Sequence, residues 1–218
     1  MYVAELWRYP VKSMAGERLE VAEVRPDGIA GDRQVQVVDG RGRVVTSRTR
    51  PRLLALRGTI APDGGVEVNG RPWTSPEVAR AVEAAAGEGA HLVRGEGLER
   101  FDVLPLLVAT DGAIAALGAD GRRLRPNLVI GGVEGLAERS WPGSLLRMGD
   151  VVIEVASLRG RCVMTTFDPD DQTQDLSVLR RIVREFAGRM ALDCQVVRGG
   201  RIALGDPVAL LEPAHVDR

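Results

Sequence analysis

Leu146-Arg147-Met148-Gly149-Asp150-Val151-Val152 returns near the end of the chain as Ile202-Ala203-Leu204-Gly205-Asp206-Pro207-Val208. In both stretches a Gly-Asp pair stands between apolar runs. Glycine permits a sharp bend and aspartate caps backbone amides, which is how small barrels turn a corner between strands. The repeated corner predicts a β-barrel in the second half. Outward from it the same texture continues. Leu19 to Val24 and Gln34 to Val38 alternate, Asp39-Gly40 marks a turn before Val44-Val45, and Asn69-Gly70 closes a hairpin after Val66-Glu67-Val68. Val151 to Val155 is a further strand, and Gly199-Gly200 between Gln195-Val196-Val197 and Ile202-Ala203-Leu204 predicts a type I′ hairpin. The fold class is mainly β (α+β): a barrel domain with a β-rich N-terminal module packed against it.

Helices are few. Ser75-Pro76-Glu77 is a cap-and-proline start leading to Gly87. Asp111 is expected to cap a short helix that stops at Gly118. Leu176, Leu179, Val183 and Phe186 recur at helical spacing opposite Arg180, Arg181, Arg184 and Glu185, which predicts a core-facing stripe with a solvated basic face. Glycines at 87, 89, 95 and 97 place a boundary, giving a module over residues 1–95 and a second over 96–218. No linker is long enough to let the two move apart freely.

The chain has 218 residues, 44% hydrophobic and 27% charged, an ordinary globular balance. With 29 basic and 30 acidic residues the net charge is −1, which argues against bulk-charge binding to nucleic acid while leaving room for a local basic cluster. Two cysteines, Cys162 and Cys194, are too few for a disulfide framework, and with two histidines they cannot build a four-cysteine zinc or iron–sulfur site. The N-terminal residues carry no signal-peptide pattern, and the apolar run Leu104 to Ala109 is too short to span a membrane. The expectation is a cytoplasmic protein with reduced thiols and no membrane or nucleic-acid partner.

Chemistry concentrates in four polar clusters and one thiol. Tyr9-Pro10-Val11-Lys12-Ser13 offers an ammonium, a hydroxyl and amides behind a rigid proline, either a phosphate cradle or a solvated loop. Gly28-Ile29-Ala30-Gly31-Asp32-Arg33 sends Arg33 into a strand, or forms a structural Asp–Arg pair. Thr46-Ser47-Arg48-Thr49-Arg50-Pro51 is a hydroxyl and guanidinium run that reads equally as surface loop. Arg122-Arg123-Leu124-Arg125-Pro126-Asn127 enters the apolar strand Leu128-Val129-Ile130, a costly place for arginine without an anion. Cys162 follows Arg161 and opens Val163-Met164-Thr165-Thr166-Phe167-Asp168-Pro169. It is either an inert small hydrophobe or a thiolate favoured by its neighbouring guanidinium. The set suits an anionic cofactor with a soft metal. His91 and His215 have no triad partners, and no GxGxxG or Walker loop occurs.

These motifs, in this order, resemble the MOSC family, the domain at the C-terminus of molybdenum-cofactor sulfurase, together with its N-terminal β-barrel companion. The resemblance rests on Leu6 to Met14 and Gly31-Asp32-Arg33, on Leu124 to Ile130, on Gly160-Arg161-Cys162 running into Thr165 to Asp170, and on Val197 to Asp206. It implies a molybdenum cofactor (molybdenum bound by molybdopterin) and no role for pyridoxal phosphate. The chain is similar in this to the mitochondrial amidoxime-reducing component, and the likeness implies that Cys162 is the metal ligand and catalytic residue. Lys12, Ser13, Arg33 and more weakly Arg48 contact the cofactor, as do Arg125, Asn127, Gly160 and Arg161. The implied activity is reduction of N-hydroxylated or N-oxygenated small molecules. No ferredoxin-like extension is visible, so electrons are expected from an external ferredoxin- or cytochrome-type protein with its reductase. The alternative is a carrier of the cofactor or of a persulfide on Cys162, without turnover of its own; a barrel with a decayed site is the third option. The chain departs from the family in three places: Arg159 stands where relatives often carry a second cysteine, Gly160 replaces a small hydroxyl residue, and Asp111-Gly112 replaces a serine.

Overall fold

The computed structural model describes residues 1–95, 97 and 100–211, so His215 lies outside the described residues. The first half contains β1 (Tyr2–Arg8), β2 (Glu17–Leu19), β3 (Val21–Arg25), β4 (Gly28–Ile29), β5 (Val35–Val38), β6 (Val44–Val45), β7 (Gly58–Ile60), β8 (Val66–Val68), β9 (Arg71–Pro72), α1 (Pro76–Ala86) and β10 (His91–Arg94). The second contains β11 (Leu106–Thr110), α2 (Asp111–Leu117), β12 (Leu128–Gly131), β13 (Leu145–Met148), β14 (Val151–Gly160), α3 (Leu176–Glu185), β15 (Arg189–Arg198), β16 (Gly200–Ala203) and β17 (Val208–Leu211). The molecule is mainly β, as the alternation predicts.

An eight-stranded sheet in the order β17-β13-β14-β15-β11-β12-β1-β2 forms the frame, so the first strand of the chain sits among strands from its second half. Its ladder is not closed into a barrel. It curls until the start of β1 reaches the corner before β17: Val3 N donates to Asp206 O at 2.9 Å, Gly205 N to Val3 O at 2.8 Å and Val208 N to Met1 O at 3.0 Å. Both Gly-Asp corners occur where expected. Gly149 takes φ 56°, where a side chain would strain, and Met148 pairs directly with Val151 across the two-residue turn. At the second corner Asp206 Oδ2 accepts from Ala203 N at 2.7 Å.

Three expectations are corrected. Gly199-Gly200 makes no hairpin: β16 leaves β15 and pairs with β3 instead. Gly199 is needed for that crossing, because a Cβ there would lie 2.6 Å from Val24 O. Gly199→Ala is therefore expected to cost about 1–3 kcal/mol as backbone is forced apart, read as a lower urea midpoint at unchanged slope. Asp111 does not cap α2. Thr110 does, its hydroxyl accepting from Ala113 N at 3.1 Å, while Asp111 receives Gly132 N at 2.7 Å and Val133 N at 3.0 Å. The core face of α3 is Val178, Ile182 and Phe186, whereas Leu176 and Val183 are exposed. The i, i+4 row meets Ala113 and Leu117 of α2, and Arg181 turns inward to donate to Leu117 O at 2.8 Å.

Three apolar clusters result. One lies under the curled sheet, one between β5, β8 and α1, and one between β11, α2 and α3. Ser75 caps α1 as expected, its hydroxyl accepting from Val78 N at 3.4 Å. The polar clusters of the sequence converge at the seam between the second and third of these cores.

Candidate functional site

The loop after β1 is laced to the strand entry after β4. Lys12 N donates to Val35 O at 2.8 Å, Val35 N to Pro10 O at 3.1 Å and Arg33 N to Tyr9 O at 2.8 Å. Asp32, buried, accepts Tyr9 N at 2.7 Å and pairs with the Arg33 guanidinium. Lys12-Ser13 and Arg33, twenty residues apart in the chain, thus become neighbours. Ser13, Arg33 and Arg125 all take left-handed backbone conformations, with φ of 71°, 50° and 56°. Each costs of order 1 kcal/mol for a non-glycine residue, and such strain gathers at binding sites.

One cavity of about 140 Å³ is lined by Lys12, Ser13, Arg33, Arg48, Arg125, Gly160, Arg161 and Cys162. These are all but one of the residues proposed from the sequence. Asn127 is outside the lining: its Oδ1 accepts Leu107 N at 3.2 Å and its Nδ2 donates to Trp7 O at 3.4 Å, tying β1 to β11 across β12. Arg122 and Arg123 also miss the cavity. Arg122 is taken by Asp120 and Asp170, and Arg123 by Asp168 at 2.9 Å. A second cavity of about 270 Å³, with Trp7, Tyr9, Leu54 and Phe167 in its wall, adjoins the first and shares Arg125 and Met164 with it.

Cys162 stands where β14 ends, half-buried, with extended backbone. Its carbonyl accepts Thr165 N at 3.1 Å and Thr165 Oγ1 at 2.9 Å. The Thr-Thr turn therefore fixes the cysteine's backbone and leaves the sulfur to the cavity. Cys194 is fully buried in the core, and burial pushes its thiol far above the ordinary range.

Three further residues line the cavity: Asp102, which no motif marks, Arg159, and Ser47 of the hydroxyl and guanidinium run. Asp102 lies at the cavity mouth, Arg159 beside it, and Ser47 within hydrogen-bond reach of Met164 Sδ at 3.1 Å. Arg159 donates to Asp193 Oδ1 at 3.0 Å. Its place in the sequence matters only as the absence of a second thiol, whereas the fold makes it one of the cavity's cations. Lys12, Arg33, Arg48, Arg125, Arg159 and Arg161 face three nearby carboxylates, Asp32, Asp102 and Asp193, which leaves a surplus of three positive charges.

Two arginines are held at a cost. Burial, then the charge of Arg159, pushes Arg161 down to about 10. Arg161 as a residue keeps some surface, but its Nε is shut from solvent with no partner, and Nη2 donates to Leu124 O at 2.7 Å. Burial likewise lowers Arg125, which stacks on Tyr9 at 4.3 Å from the ring centroid and donates to Met14 O at 2.7 Å. An orphaned guanidinium nitrogen and surplus positive charge beside a thiol fit an anionic ligand carrying a thiophilic metal. Among the described residues no three His, Cys, Asp or Glu side chains cluster as a metal cage.

Comparison with known proteins gives the fold a family. Residues 1–113 match the model of the MOSC N-terminal beta barrel domain, and residues 110–209 match the MOSC domain. The chain belongs to the MOSC family. Among relatives of this MOSC protein, mitochondrial amidoxime-reducing component 1 from Homo sapiens is 26% identical over 96% of the chain and 82% of its own length. Mitochondrial amidoxime reducing component 2 from Macaca fascicularis is 25% identical over 94% of the chain and 82% of its own length. Molybdenum cofactor sulfurase 2 from Culex quinquefasciatus is 40% identical over 31% of the chain, which is 9% of that protein. The YUAD protein from Bacillus subtilis shares the fold at a TM-score of 0.52 and 12% identity, over 97% of this chain and 95% of that one.

Proposed function

We propose that this MOSC protein binds a pterin-based molybdenum cofactor and reduces N-hydroxylated or N-oxygenated small molecules, using electrons from an external ferredoxin- or cytochrome-type protein and its reductase. The observation that carries the reading is one half-buried thiol opening on a cavity with surplus guanidinium charge and an orphaned Arg161 Nε. Lys12, Arg33 and Arg48 would hold the cofactor's anionic end, Arg125 and Arg161 its polar edges, with Ser13 and Gly160 giving hydroxyl and backbone contacts. Cys162 would ligate the metal. Asn127 would act through β12, by placing Arg125, rather than by contact.

When bound, the cofactor would supply two-electron chemistry. Reduction breaks the N–O bond, so that R–NH–OH, two electrons and two protons yield R–NH2 and water. The chain's own residues contribute charge neutralisation and exclusion of water around the half-buried sulfur. The name of the relatives, amidoxime-reducing component, supports this substrate class.

Protein purified from a molybdenum-replete host is expected to carry close to one molybdenum and one pterin per chain, and to reduce benzamidoxime with reduced viologen as electron source. Bound cofactor without turnover would instead favour the carrier reading. Fresh protein lacking both metal and pterin would sink the reductase and carrier readings together.

A further inference from the structure

The Asp102 carboxylate receives three cations from three separate parts of the chain. Lys12 Nζ lies 3.1 Å from Oδ1, while Arg48 Nη2 and Arg159 Nη2 lie 2.7 and 3.6 Å from Oδ2. Asp102 is no wandering surface acid. The preceding Phe101 is buried, with Arg33 above its ring at 5.7 Å and Arg100 at 4.7 Å, and Arg100 is itself fixed by Asp27 at 2.6 Å. The side chain stands at the cavity mouth with 38% exposure, so solvent and ligands reach it. Burial alone would raise its pKa, but Lys12 and Arg48 outweigh that and hold it below the usual carboxylate range. It is an anion at neutral pH, seated among the cations that would grip an incoming one.

That arrangement has a consequence for what can bind. A monoanionic ligand that takes Lys12 and Arg48 from Asp102 exchanges one carboxylate-like contact for another. It gains little, still loses its own translational freedom, and sets a carboxylate beside a like charge. A phosphate-monoester dianion brings twice the charge and three equivalent oxygens to the same donors, and the Coulomb term scales with charge. We infer that Asp102 sets the charge class of the ligand: it holds the cavity's cations against monoanions and yields them to a terminal phosphate dianion. Its action is a threshold set by competition: every anion bears the same cost of displacing the carboxylate, and only the stronger one exceeds it. The inference deepens the cofactor reading and rests on it for the identity of the natural ligand alone.

The test uses the full chain produced in a host that cannot make the cofactor, titrated calorimetrically at pH 8 and low salt with inorganic phosphate and with acetate. Wild type is expected to bind phosphate at least ~10-fold tighter than acetate, a gap of roughly 1.4 kcal/mol. Because the cost of displacing the carboxylate is common to both anions, Asp102→Asn is expected to raise acetate and phosphate affinity alike, each at least ~10-fold, and Asp102→Glu to restore the wild-type values. Unchanged acetate affinity or unchanged phosphate affinity in Asp102→Asn overturns the inference. If Asp102→Asn does not fold, the wild-type carboxyl resonance of Asp102 decides. It should move on phosphate addition and stay put with acetate, and immobility under phosphate overturns the proposal equally. Molybdenum and pterin content is measured separately, so anion discrimination can stand where the cofactor reading fails, and the reverse.

Discussion

Replacing Cys162 by serine is expected to strip molybdenum from the protein without unfolding it. A serine hydroxyl is hard and stays protonated at neutral pH, whereas a thiolate is soft and matches the metal. Metal per chain should fall by more than ~100-fold, beyond the 10–100-fold that changing a mere neighbour of a ligand costs. Reduction of benzamidoxime should fall to background with it. The fold should hold, because the carbonyl of residue 162, not its side chain, accepts the bonds from Thr165. The melting point without cofactor should therefore shift by less than about 2 °C, as a change of less than ~0.5 kcal/mol would produce in a chain of this size. Pterin measured in the same sample separates the roles: if the arginines and Lys12 hold the organic part, pterin falls less than metal. Full metal content in Cys162→Ser would remove the thiol from the proposed chemistry altogether.

A residue's role is legible in the sequence to the extent that it depends on its neighbours in the chain. Local signals survived. Ser75-Pro76 started α1, both Gly-Asp corners turned, and Asn69-Gly70 closed β8 onto β9, because caps and two-residue turns are decided within four residues. The Gly199-Gly200 reading failed because what makes glycine necessary there is the carbonyl of Val24, far away in the chain. The helical stripe of α3 failed for a related reason. Two apolar rows share Phe186, and only the packing against α2 chooses between them. In the site, motif residues were legible because lysine, arginine and cysteine at strand ends have few structural uses. Asp102 was not, since nothing in Phe101-Asp102-Val103 tells that three cations from elsewhere will meet it. Arg159 was legible only as a missing cysteine, while the fold uses its charge. Asn127 shows the converse: its motif marked it correctly as special, but its amide is spent on backbone of β11 and β1 rather than in the cavity.

Arg161→Met should separate stability from ligand binding, with opposite signs. The arginine's Nε is buried without a partner, and the charge of Arg159 adds to the cost of keeping it ionised. Methionine keeps much of the stem's volume and removes the charge. Replacing buried charged groups with apolar ones of similar size is often neutral or stabilising by about 1–4 kcal/mol. Against this, the carbonyl of Leu124 loses the Nη2 donor at 2.7 Å, which costs about 1 kcal/mol or somewhat more. The net expectation for protein without cofactor is a denaturant midpoint equal to or above that of wild type. Phosphate affinity should fall at least ~10-fold and pterin retention with it, since a charge-assisted bond to an anion is lost from a desolvated position. Arg161→Lys should keep part of the binding, as a point charge without the fork. A stability loss above ~2 kcal/mol in Arg161→Met would mean that the guanidinium serves the fold, and that the strain at this position has no bearing on the ligand. The predicted pairing, steadier protein and weaker binding, is what a site built to receive an anion requires: the energy stored in an unsatisfied buried arginine is released when the ligand arrives.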